Sequence, residues 1–502
     1  MLHKDAEAAA PAPTMTLSVA VTNNRLKTTF IAAGLLVILL SLLGLFDLSR
    51  TTPARVPYTV YEPSTPSTDH GDAQKRPGEA VEKEGEWRPG TGNGDISHKL
   101  TPEQHQASKE NMRVEHLEIF SNMTSTGSLF MIDFLGQEGY NPSILPHPTK
   151  DETWIVIAMR DKRKDESDIW NAELYCEAIF VKTDNVMRCL RTPLILPIAS
   201  TTSPVCKDDA KWSLSFMNRI IGPHDARIFW GPERPYIIYG SQSRKSCLGQ
   251  YIQDLRRVVD WDRDDQATSE NETAFFWPTD LQRPDPIEPL EKNWFAFWSQ
   301  EGEMYLHYDI DTTHRSFAKV NETDGSVVGK DLAPLARDRQ CMERLMPTLN
   351  QNDLEWMHQA TNSLSLTLCK RSDETCHATP ENTYILTFFQ KKTFYYHGVY
   401  EPYVMLFHET SPFAIYAISQ KPIWYHGRGT PDEDWRRPGN EWKPVDQSEM
   451  IFTMSVNWKA RGMRYHGFLD DEVIISFGIE DQQAGGIDVV VGELVRDMGL
   501  CD

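Results

Sequence analysis

Between Val114 and Cys501 the chain is cut into short apolar runs rich in β-branched and aromatic residues. They include Thr153–Ala158 (TWIVIA), Tyr236–Tyr239 (YIIY), Trp294–Trp298 (WFAFW), Met304–Ile310 (MYLHYDI), Tyr384–Phe389 (YILTFF), Tyr403–Phe407 (YVMLF) and Val473–Phe477 (VIISF), bounded by Gly, Pro, Asp or Asn. Runs of this length and composition predict β-strands. Long amphipathic helices are scarce, with Leu255–Asp260 and Leu335–Met346 as short candidates. A region this long holds together as one all-β domain when a β-unit is repeated around a common core. Strand spacing alone fits a sandwich, a barrel or a propeller.

The preceding residues differ in kind. Phe30–Phe46 (FIAAGLLVILLSLLGLF) carries no charge and reads as a membrane-spanning helix for a thin bilayer. The other reading is a signal peptide, but about thirty residues precede the core and no small-x-small cleavage site follows Asp47. Residues 48–112 hold Pro53, Pro57, Pro63, Pro66, Pro77 and Pro89 among Thr, Ser, Gly, Glu and Lys, the composition of a flexible stem. The expected order is therefore a cytoplasmic tail (1–29), a transmembrane anchor (30–47), a disordered stem (48–112) and a lumenal domain (113–502).

Charge does not orient the span, since Arg25 and Lys27 before it are matched by Arg50 and Arg55 after it. The 8 cysteines all follow the tract, and an even number suits an oxidising compartment. N-x-Ser/Thr sequons at Asn122, Asn271 and Asn321 follow it too, making these the candidate glycosylation sites. Together these predict a single-pass type II protein of the Golgi or endoplasmic reticulum membrane. Cys176–Cys189, Cys369–Cys376 and Cys206–Cys247 are plausible pairs, although spacing does not determine connectivity.

A net charge of −21 argues against a nucleic-acid partner. There is no Walker loop, G-x-S-x-G, H-E-x-x-H or C-x-x-C, and no clear metal or cofactor site is expected. Four D-x-D tripeptides occur: Asp260-Trp261-Asp262, Asp262-Arg263-Asp264, Asp309-Ile310-Asp311 and Asp432-Glu433-Asp434. Only Asp309-Ile310-Asp311 ends an apparent strand, where a metal ligand would be held firmly.

Polar clusters recur beside the apparent strands: Asn141-Pro142-Ser143, His224-Asp225-Ala226-Arg227, Lys292-Asn293-Trp294, His358-Gln359-Ala360-Thr361-Asn362 and Gly478-Ile479-Glu480-Asp481. The succession N-P, D-x-R, K-N-W, H-x-x-T and F-G-x-x-D resembles the five-bladed β-propeller family of mannoside phosphorylases and related β-mannosyltransferases. It runs from about Asn141 to Val495, one motif per apparent blade. The family has Glu-Asp-Pro-Arg where this chain has His224-Asp225-Ala226-Arg227. It has His-Gly-Gly-Thr-Pro where this chain has His358-Gln359-Ala360-Thr361-Asn362.

The resemblance implies a five-bladed β-propeller and a role for each motif. Asp225 becomes the proton donor or acceptor at a glycosidic oxygen, with Asp481 as a second acid. Such a carboxyl needs its pKa raised by burial or a like charge. Arg227 would orient the sugar or hold Asp225. Lys292 and His358 would face the anion at the anomeric carbon. Asn141, Asn293 and Thr361 would bind substrate, and Trp294 and Trp298 stack on a sugar or fill the core. The expected activity is a membrane-anchored glycosyltransferase using a sugar-phosphate or nucleotide-sugar donor and a glycan acceptor. The alternatives are a hydrolase or phosphorylase on the same scaffold, or a non-catalytic glycan-binding propeller.

Overall fold

A computed structural model of the chain describes residues 115–501 except 165–168, 207–218, 260–273, 351–353, 360, 395–396, 432–433 and 436–446. The tract Phe30–Phe46, the stem, Asn271, Ala360 and the D-x-D stretches at Asp260–Asp264 and Asp432–Asp434 fall wholly or partly outside these residues. Among the described residues no helix is long and apolar enough to cross a membrane.

The described part is all-β. Its strands pair antiparallel in successive runs, in chain order. The first run is Tyr140–Pro146, Thr153–Lys164, Ile169–Val181 and Val186–Cys189. The second is His224–Trp230, Pro235–Ser241, Gly249–Asp254 and Thr279–Asp280. The third is Phe295–Trp298, Met304–Ile310, Arg315–Val320 and Val327–Val328. In the fourth, Glu355–Gln359 and Leu364–Thr367 both pair with Thr383–Phe394, followed by Gly398–His408 and Ile415–Ser419. The last joins Ile451–Trp458, Glu472–Ile479 and Gln483–Val490 to Phe130–Asp133 from the other end of the described chain. Phe130–Asp133 also pairs parallel with Val186–Cys189, which stitches the last run to the first.

The apolar runs found in the sequence lie in these strands, and Met304–Ile310 matches one end to end. Leu255–Asp260 holds only the short 3-10 turn Leu255–Arg257, and Leu335–Met346 overlaps the helices Ala333–Ala336 and Arg339–Leu345. Pro235–Ser241 is buried at every position instead of alternating, because both faces of its sheet are covered by neighbouring sheets. Aromatic rings fill these interfaces. Trp298 stacks on Tyr236 at 5.7 Å between the second and third runs, and Phe297 meets Phe407 edge to face at 5.1 Å between the third and fourth. Each fully buried ring of this kind contributes roughly 1.5–3 kcal/mol through burial.

Polar side chains tie the first strands of the runs to one another. The Ser143 hydroxyl donates to Ile228 O at 3.2 Å, and Arg227 Nη2 donates to Trp294 O at 2.7 Å. The Ser363 hydroxyl donates to Ala296 O at 2.6 Å, and Asn362 Nδ2 to Val456 O at 2.7 Å. Asn457 Nδ2 donates to Ile144 O at 2.8 Å and to Ile228 O at 2.9 Å, returning to the first and second runs. These bonds give buried carbonyls the partners that no sheet ladder supplies, and they fix which strands lie together at the centre.

Disulfides join Cys176–Cys189, Cys206–Cys247 and Cys369–Cys376, the plausible pairs, and Cys341–Cys501 besides. The last ties the C-terminal strand Met498–Leu500 to the helix Arg339–Leu345.

Candidate active site

Several motif residues share an uncommon backbone conformation. Asn141 has φ +49°, Asp225 +51°, Asn293 +63° and Asp481 +50°. The left-handed region is strained for most L-residues and tolerated best by Asn and Asp, which accounts for the residue type at each position. Asn141 and Asp225 are the second residues of first strands, and Asn293 lies two residues before one. Asp481 follows Ile479, which pairs with Ile451 at the start of the last run's first strand. All four therefore sit at the same end of their sheets. A Cβ on Gly478 would lie 1.9 Å from Asn141 Oδ1, so glycine is required there for Asn141 to take its place.

The side chains meet across the runs. Asn141 Nδ2 donates to Asp225 Oδ1 at 2.8 Å. Asn293 Nδ2 lies 3.2 Å from His358 Nδ1. Burial first, and then the charges of Lys292 and Lys392, push the His358 pKa well below its ordinary value. His358 is therefore neutral, its Nδ1 accepts from the Asn293 amide, and its proton is on Nε2. Lys292 is exposed beside it.

Charged groups that no motif marked lie in the same neighbourhood. Lys392 stands 5.0 Å from the Trp356 ring centroid and 5.1 Å from that of Tyr400. Trp356 faces Lys392 across one strand pair, and Tyr400 faces it across the next. Burial and Lys292 push the Lys392 pKa down to about 8, against the opposing pull of Asp481. The Tyr140 hydroxyl donates to Asp161 Oδ1 at 2.7 Å, and burial with Asp161, Asp225 and Asp481 pushes the phenol pKa up. Tyr400 is raised by burial, Asp481 and Asp225. Burial lowers His224, with Asp225 opposing and Lys292 reinforcing. Glu173, fully buried, is raised by burial and by Asp225.

Asp225, Asp481, Asn141, Lys292, Asn293 and His358 thus lie in one neighbourhood with Tyr140, Asp161, Glu173, His224, Lys392 and Tyr400. The last six, apart from His224 within its motif, are placed by register between strands and leave no local pattern to read.

Other motif residues face inward. Arg227 is 2% exposed and donates to Trp294 O, to Gln250 Oε1 at 3.1 Å and to Thr361 O at 3.4 Å. Its pKa falls to about 10 through burial, with Asp225 opposing. Thr361 is 0% exposed; its hydroxyl donates to Asn362 O and accepts from Phe388 N. Trp294 and Trp298 are buried in aromatic contacts with Tyr308 and Tyr236.

Asp309 is engaged by Arg283, which also binds Glu291 at 3.0 Å. Among the described residues no group of three or more His, Cys, Asp or Glu could hold a metal. Of the sequons, Asn122 is exposed with its amide donating to Glu472, and Asn321 is exposed in a turn.

No family model and no curated protein matches the chain. Among solved structures, a glycosyl hydrolase from Bacteroides ovatus is 12% identical, with 76% of this chain and 91% of that one covered and a TM-score of 0.38. A β-1,2-mannobiose phosphorylase from Listeria innocua is 8% identical, with 74% and 93% covered and a TM-score of 0.39. A GDP-Man-dependent mannosyltransferase from Leishmania mexicana is 10% identical, with 80% and 97% covered and a TM-score of 0.37.

Proposed function

We propose that the successive antiparallel runs are the blades of a five-bladed propeller, and that the end bearing Asp225 is the active site of a glycosyltransferase-like enzyme. It acts on mannose-type glycans with a phosphate-activated sugar donor. The observation that carries this reading is the meeting of carboxyl groups and lysines from different sheets at one end of the central strands.

The acceptor hydroxyl gives its proton to the Asp225 carboxylate as its oxygen bonds to the anomeric carbon. The bond from that carbon to the donor's phosphate oxygen breaks, and the electron pair leaves on the phosphate. Lys292, Lys392 and the His358 Nε2–H meet the charge that grows there, which is the interaction that lowers the barrier most. Asn141 holds Asp225 through its amide, Asn293 fixes the His358 tautomer, and Asp481 is the second acid. Arg227 and Thr361 belong to the scaffold on which these groups stand. Phe30–Phe46 would hold the enzyme in a secretory-pathway membrane, where a tether suits work on passing glycoconjugates.

The test is to incubate the purified full-length chain with nucleotide sugars and sugar 1-phosphates in the presence of mannose-type acceptors. The expected result is transfer that is lost in Asp225→Asn. Turnover with none of the donors, or undiminished turnover in Asp225→Asn, would falsify the proposal. Release of free sugar without a phosphate-bearing donor would identify a hydrolase instead.

A further inference from the structure

Glu173 has no part in the chemistry above, yet its place behind Asp225 is closely defined. It lies in Ile169–Val181, the third strand of the first run, and is 0% exposed. Its Oε1 accepts from the backbone N–H of Ala226, the residue after Asp225, at 3.3 Å. Its Oε2 is buried with no hydrogen-bond partner among the described residues. Two residues earlier on the same face of the strand, Asn171 Nδ2 lies 3.5 Å from His224 Nδ1. A Cβ on Gly222 would lie 2.2 Å from Asn171 O, so glycine lets the segment leading to His224 lie against this strand. The His224–Ala226 turn is therefore gripped from behind by Asn171 and Glu173.

We propose that Glu173 is a positioning residue for Asp225: a buried carboxyl that keeps its proton at neutral pH and holds the Asp225–Ala226 turn toward the substrate. This rests on the assignment of Asp225 as the proton-transfer carboxyl. Glu173 does not give up its proton during the reaction.

The chemistry follows from burial. An ionised carboxylate with an oxygen that finds no donor is strongly disfavoured in a dry interior, whereas the acid is tolerated. Asp225 adds a like charge from the neighbouring sheet and raises the proton affinity of Glu173 further. The other titratable groups around the pair are His224 and Arg227 on the Asp225 strand, Tyr140 beside Asp161, Tyr400 from the fourth run, and Arg160 and Asp161 on Thr153–Lys164. Arg160 donates to Gln137, and Asp161 accepts from Tyr140. On the remaining side Leu194–Ile195 brings no titratable group. A protonated Glu173 adds no second negative charge at the turn, so Asp225 can receive a proton without a competing carboxylate beneath it.

The linkage has a definite sign. A native-state pKa above the unfolded value means that stability is lost as pH rises from the ordinary carboxyl pKa, about 4.3, up to the native value. Glu173→Gln has the same shape and no proton to lose. Thermal unfolding of the full-length wild type, Glu173→Gln and Asp225→Asn, followed from about pH 5 to about pH 8, tests the pairing without any assay of turnover. The melting temperature of Glu173→Gln is expected to gain on wild type as pH rises. In Asp225→Asn the wild-type loss should end at a lower pH, because the like charge is gone. A gap that does not change with pH, or an Asp225→Asn curve parallel to wild type, overturns the proposal. In turnover, Glu173→Gln should move the alkaline limb of the pH profile upward; an unmoved limb also overturns it. Absence of turnover in the wild type would refute the proposed reaction while leaving the titration to decide the role of Glu173.

Discussion

The site has an acidic side and a basic side, built by different sheets. Asp161 and Glu173 come from the first run, Asp225 from the second and Asp481 from the last. Lys292 precedes the third run, while His358 and Lys392 come from the fourth. On the acidic side the phenol of Tyr140 is pushed up, and on the basic side His358 and Lys392 are pushed down. Burial acts on both sides; the sign of the neighbouring charges is what distinguishes them. Under the proposed transfer the contrast assigns proton transfer to one side and anion binding to the other, as a phosphate leaving group requires.

The largest way to break this division is to remove the acid. Asp225→Asn keeps the size of the side chain and removes its basicity, so kcat is expected to fall by roughly 10²–10⁴-fold. Its KM for the donor, set on the basic side, should change little. Steady-state kinetics checks the split, and an equal loss in KM would place Asp225 in donor binding instead.

Arg227 links the two sides, since it stands on the second run and donates to carbonyls of Trp294 and Thr361. Arg227→Met leaves those buried acceptors without a partner, at about 1–3 kcal/mol for each group. Chemical denaturation of the variant should show the loss. Donor and acceptor positions should also come out of alignment, so that kcat falls even under conditions where the variant is fully folded.

On the basic side the expected effect is smaller and depends on pH. Lys392 carries its charge below a pKa of about 8 and loses it above. Donor affinity should therefore be full below that value and weaken as pH rises through it. Lys392→Arg keeps a charge at all these values and should carry the limb to higher pH, while Lys392→Met should lower affinity by roughly 1–3 kcal/mol below that pKa, the gap to wild type closing above it. A donor KM independent of pH in the wild type would remove Lys392 from the site.

Strand runs were legible in the sequence because each packs with both faces covered, which leaves compact apolar segments such as Pro235–Ser241. Asn141, Asp225, Asn293 and Asp481 stood out in the sequence only through the order of their motifs; in the fold all four take the left-handed backbone that Asn and Asp tolerate best. Lys392 and Glu173 did not stand out at all. Nothing local distinguishes Lys392 from Lys391; Trp356 and Tyr400 reach it only through pairing across two strands. Glu173 reads as an ordinary charged residue in an alternating strand until the second sheet closes over it. Arg227 and Thr361 show the converse, since motif position placed them beside the site while their hydrogen bonds go to buried backbone and, for Arg227, to Gln250 as well.

Asp309, on the third run, gives the smallest effect and a control for the acidic side. Its sequence context, a carboxylate at a strand end followed two residues later by Asp311, suited a metal as well as any in the chain. In the fold its side chain is 45% exposed and paired with Arg283, which Glu291 holds as well. Removing Asp309 leaves that arginine a partner, so Asp309→Asn should cost about 1 kcal/mol of stability or less. It should leave turnover and its response to added divalent cations unchanged. If Asp309→Asn instead abolished transfer as Asp225→Asn is expected to, the acidic side would have to be redrawn around a metal. The reason to expect otherwise is one of partners: Asp309 is already paired with the Arg283 guanidinium.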